Sequence, residues 1–107
     1  VITTEDRVKK ALTYLAETDE EHAHAKALVK GLEQSRKTVK SIAFLQATGT
    51  MAEKEAVAYK SQEYQAVVAK YENAVADEAI LHNKRTTNAL IVDVWRSENA
   101  NRRTGNI

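Results

Sequence analysis

Cysteine is absent from this chain and so is proline, and only Gly31, Gly49 and Gly105 supply glycine. Without cysteine there is no disulfide, no thiolate nucleophile and no zinc–thiolate site, a composition that fits a reducing cytoplasm. Without proline, and with so little glycine, the chain has few places to turn, so its elements should be long. No apolar run nears the roughly 20 residues of a membrane span. The longest, Ala89-Leu90-Ile91-Val92, stops at Asp93. No stretch reads as a signal peptide. An excess of charge of one sign is missing too: the formal net charge is +1. That excludes a polyanionic nucleic-acid mimic and a uniformly basic nucleic-acid binder. Strand-like alternation of β-branched or aromatic residues with polar ones is also lacking.

What is present favours helix. Alanine, Lys, Glu, Leu and Gln are plentiful, and all are good helix formers. Thr3-x-x-Asp6 reads as a first N-cap, followed by Val8, Ala11, Leu12 and Leu15 on one face. Thr18-x-x-Glu21 reads as a second capping box, so two readings compete: a break or kink near Thr18, which is favoured, or one continuous helix with a polar stretch. The stripe then runs through His22, Ala25, Leu28, Val29, Leu32, Val39, Ile42 and Leu45, with Gly31 inside it as a mark of close helix packing. Ala47-Thr48-Gly49 is a C-cap signal and Thr50-x-x-Glu53 a third box. From there, spacing of three and four persists through Tyr64, Val68, Tyr71, Val75, Ala89, Val92 and Trp95. It predicts one unbroken helix on the order of 65–80 Å long. The short Thr48-Gly49-Thr50 connection makes the helices antiparallel neighbours.

The expected fold is therefore all-α: a long, coiled-coil-like antiparallel hairpin of two long helices, with a short extra N-terminal helix if the chain breaks near Thr18. Residues 1–107 form a single helical domain, and 97–107 are expected to be a mobile basic tail. A helix apolar on nearly every side is buried, and Ala89 to Trp95 (ALIVDVW) has that character. It predicts homo-oligomerisation through Leu90, Ile91, Val94 and Trp95. The alternative is that the N-terminal helix folds over this segment within a monomer. Tyr59, Tyr64 and Tyr71 add wide contact surface.

The histidines bear on metal binding. His22 and His24 are two apart, about 200° round a helix, and cannot chelate one ion together. Glu21-x-x-His24 has the spacing of di-iron carboxylate bundles, but the second helix offers Glu78 and His82, four apart, which is not that motif. No metal and no cofactor are expected. No glycine-rich phosphate loop, nucleophile elbow or oxyanion hole is visible, so no enzyme activity is expected. Paired acids such as Glu20-Glu21 and Asp77-Glu78 read as solvated faces.

Charge is unevenly placed. Lys84, Arg85, Arg96, Arg102 and Arg103 against Asp93 and Glu98 leave His82–Ile107 at +3 and the remainder at −2. Lys84, Arg85, Trp95, Arg96, Asn99, Arg102 and Arg103 mix positive charge, an amide and an aromatic platform, as phosphate binding requires. Trp and Arg also anchor protein interfaces. The bland reading is that these cations solubilise a bundle and complement a helix dipole.

Leu81-His82-Asn83-Lys84-Arg85, then Ala89 through Arg103 (ALIVDVWRSENANRR) and Gly105-Asn106-Ile107, resemble the C-terminal end of a family of small tailed-phage and prophage proteins. Tyr14-Leu15-Ala16-Glu17-Thr18-Asp19 and Ala25-Lys26-Ala27-Leu28 fit the same family loosely. The resemblance covers most of the chain and is specific near its end. It implies a product of an early phage gene region, acting in the bacterial cytoplasm in DNA metabolism or host takeover. It assigns no activity and carries over no catalytic residue. Three functions remain open: a phage accessory protein binding a protein or DNA partner in replication or recombination; an anti-CRISPR-like inhibitor occluding a host defence nuclease; and a structural or scaffolding coiled coil.

Overall fold

The computed structural model describes residues 3–105, and these form three helices and no strand: α1 (Glu5–Gln46), α2 (Met51–Lys60) and α3 (Gln62–Gly105). The all-α hairpin read from the sequence is present. No helix among the described residues is long and apolar enough to cross a membrane. The chain divides into two compact units. One joins residues 1–23 to 79–107; the other is residues 24–78. Each is described by itself.

In the first unit the start of α1 runs antiparallel to the end of α3. Thr4 Oγ1 accepts from the Arg7 N–H at 3.2 Å, so the N-cap is Thr4 and not Thr3. Thr3 is buried instead, and its N–H donates to the Glu98 carboxylate at 3.1 Å. Val8, Ala11 and Val92 form the core, with Ile91 and Trp95 against it. The ALIVDVW segment is thus only half covered. Val92 is buried, while Leu90 is 57% and Val94 44% exposed. The covering segment is the start of an unbroken α1, not a separate third helix.

Of the two readings at Thr18 the continuous helix is the one found: α1 runs through it without a break. Thr18 is buried and its hydroxyl donates to the Tyr14 carbonyl at 2.7 Å, the back-bond to residue i−4 that lets a threonine sit inside a helix. The capping-box reading fails because the same hydroxyl also serves a cation from α3.

The second unit holds the turn. Gly49 has φ +113°, a conformation that side-chain-bearing residues rarely adopt. Thr50 caps α2 as expected, accepting from the Glu53 N–H at 3.2 Å. The single long helix expected beyond it is interrupted at Ser61, which has φ −61° and ψ 143°. Its hydroxyl and N–H both donate to the Ala58 carbonyl, at 2.8 and 3.3 Å. The same hydroxyl accepts from the Tyr64 N–H at 3.3 Å, and Gln65 Nε2 donates to the Tyr59 carbonyl at 2.7 Å. Side chains meet the backbone groups that the break leaves over, so neither proline nor glycine is needed.

Ala58 and Ala74 are the buried residues of this unit. Around them, cations lie over rings: Arg36 over Tyr71 at 4.7 Å and Lys40 over Tyr59 at 3.9 Å. Tyr59 and Tyr64 meet edge to face at 5.6 Å. Lys40 Nζ donates to the Tyr59 hydroxyl at 2.6 Å and lies 3.6 Å from Glu55. The Tyr59 hydrogen bond, helped by the tyrosine and glutamate charges and opposed by desolvation, holds the Lys40 ammonium above its ordinary range. Gly31 does not mark close packing, since a Cβ there would meet nothing within 4 Å.

Candidate functional site

The C-terminal part of α3 carries most of the expected contact residues. At 100° per residue, Trp95, Arg96, Asn99, Arg102 and Arg103 fall within an arc of about 120°. Val92, which packs toward α1, lies inside that arc. The side of α3 that is apolar where Val92 meets Val8 and Ala11 therefore becomes basic and amide-bearing from Arg96 onward. Trp95, Arg96, Asn99, Ala100 and Arg103 line one surface depression there. Arg96, Arg102 and Arg103 are exposed; Trp95 and Asn99 are half-buried. Helical geometry continues through Gly105. Asn106 and Ile107 lie outside the described residues.

Two expected contact residues are placed elsewhere. Lys84 lies about 16 Å back along α3 from Trp95, beside a separate depression lined by Tyr14, Asn83, Thr87 and Asn88. Arg85 is taken up by α1. Its guanidinium donates to the Leu15 carbonyl at 2.8 Å, to Thr18 Oγ1 at 2.7 Å and to Asp19 Oδ1 at 3.2 Å. Its side chain is 17% exposed. These bonds make Arg85 a tie between the two helices of the first unit. The sequence signal for this was the buried-side phase that Arg85 shares with Val92. Of the residues expected to drive self-association, Leu90 and Val94 are exposed, while Ile91 and Trp95 pack on the core.

Reading one helix at a time missed a pair. His22 of α1 and His82 of α3 face each other with ring centroids 5.7 Å apart and planes inclined by 38°.

A scan against families of known proteins, a search of curated proteins and a search of solved structures each find no match for this chain.

Proposed function

We propose that this chain is a non-enzymatic phage accessory protein that binds DNA during replication or recombination through the basic end of α3. One observation carries the reading: the helix side that is apolar beside Val8 and Ala11 turns into Arg96, Asn99, Arg102 and Arg103 around Trp95. Guanidinium groups meet phosphates, the amide adds a donor, and the indole offers a stacking face. The phage setting rests on the resemblance of the C-terminal sequence. A second reading, a protein partner or a second copy of the chain, is favoured by Leu90 and Val94, exposed one turn apart on α3.

The test is fluorescence anisotropy with labelled single- and double-stranded oligonucleotides across a salt series. Binding should weaken steeply as salt rises. The triple variant Arg96→Ala, Arg102→Ala, Arg103→Ala should keep its helicity. It should bind weakly and lower the salt slope by up to about three, near one for each phosphate that is no longer neutralised. Affinity unchanged by the triple substitution rejects this surface. Absence of DNA binding, with Leu90→Glu and Val94→Glu disrupting an oligomer seen by light scattering, moves the function to protein contact. Capture of a host defence nuclease that loses activity on binding would favour the occlusion inhibitor.

A further inference from the structure

We propose that His22 and His82 form a binding site for a divalent transition-metal ion such as Zn2+, joining α1 to α3. Both residues belong to the first unit, one on each helix. A ring nitrogen of one lies within 4.8 Å of a ring nitrogen of the other. Tetrahedral zinc with Zn–N bonds of about 2.0–2.1 Å needs its ligand nitrogens about 3.3 Å apart. Any remaining difference is closed by side-chain rotation at His82, which is exposed, while His22 is half-buried. Two imidazoles suit zinc, nickel or copper far better than calcium or magnesium, which take all-oxygen shells. His24, about 200° round α1 from His22, has no part in the site.

Such an ion cross-links residues far apart in sequence and binds the folded chain in preference to the unfolded one. The inference is independent of the DNA-binding reading, because neither histidine lies among the residues assigned to that surface.

The experiment is calorimetric titration of the full chain, carrying no polyhistidine tag, with ZnCl2 near neutral pH in a non-coordinating buffer. Thermal melts followed by circular dichroism are run beside it. The expected result is one ion per chain and a melting temperature raised by zinc. His82→Ala, at an exposed position, should keep its helicity and lose at least about tenfold in affinity, the least that disturbing even the groups behind a ligand costs. His22→Asn should do the same. His24→Ala should bind as the parent chain does. No binding up to about 1 mM zinc overturns the site. So does an affinity that His82→Ala leaves unchanged, or one that His24→Ala lowers equally.

Discussion

Replacing Arg85 by Ala removes three hydrogen bonds at once, and the structure ranks their worth. The Asp19 bond is weakest: that carboxylate is 81% exposed and its distance is 3.2 Å. An exposed ion pair contributes about 0–1 kcal/mol. The bonds to Thr18 Oγ1 and the Leu15 carbonyl are shorter, at 2.7 and 2.8 Å, and part-buried. A hydrogen bond to a charged group contributes about 1.5–3 kcal/mol net. Neither acceptor is orphaned when Arg85 goes, because Thr18 keeps its bond to Tyr14 and the Leu15 carbonyl stays within the α1 ladder. The two bonds also share one nitrogen, so their sum is discounted. We expect Arg85→Ala to cost about 2–3 kcal/mol and Asp19→Asn less than about 0.5 kcal/mol. Arg85→Lys should fall between them, since an ammonium lacks the planar fork. The assay is urea unfolding followed by circular dichroism, with a double-mutant cycle between Arg85→Ala and Thr18→Val. A coupling energy of about 1 kcal/mol or more is expected. If Asp19→Asn costs as much as Arg85→Ala, the interior bonds are not what matters. If Arg85→Ala leaves stability intact but reduces DNA binding, Arg85 belongs to the contact surface after all.

Three further substitutions test the turn, the break and the Lys40–Tyr59 hydrogen bond. Gly49→Ala should destabilise by about 1–2 kcal/mol in the same urea assay, because φ +113° strains any residue bearing a Cβ. Ser61→Ala removes the cap of α3 and should cost about 1 kcal/mol; an unchanged urea midpoint would show that the break does not depend on its hydroxyl. The raised Lys40 ammonium contributes stability that is complete below the ordinary lysine value of about 10.4 and is lost as pH climbs through the raised one. Tyr59→Phe should therefore narrow the gap in denaturation midpoint between neutral and strongly alkaline pH, and an identical pH profile would refute the assignment.

The helical class was legible because it rests on local quantities. Side-chain propensity, the three- and four-residue period and the Thr50 cap each act within a turn or two, and Gly49 marked the connection for the same reason. The residue types of the basic end were legible, but the face shared by Arg96, Asn99 and Arg103 was not, because it depends on α3 continuing to Gly105 where a tail was expected. The Thr18 box misleads because a threonine hydroxyl serves equally well as a cap or as a back-bond. The choice between them is made by Arg85, distant along the chain.

Register is where the tertiary structure decided. A strict hairpin folded at Gly49 would set His22 opposite Ala76. The pairing found in the first unit instead sets His22 opposite His82. Composition, period and caps thus determined by themselves that the chain is helical and where it turns. Which residues meet across the helices, and so the Arg85 tie and the histidine pair, depended on packing. Antiparallel helices can slide by a turn at little cost to either one, and only the mutual fit of Val8, Ala11, Thr18, Arg85 and Val92 selects one register.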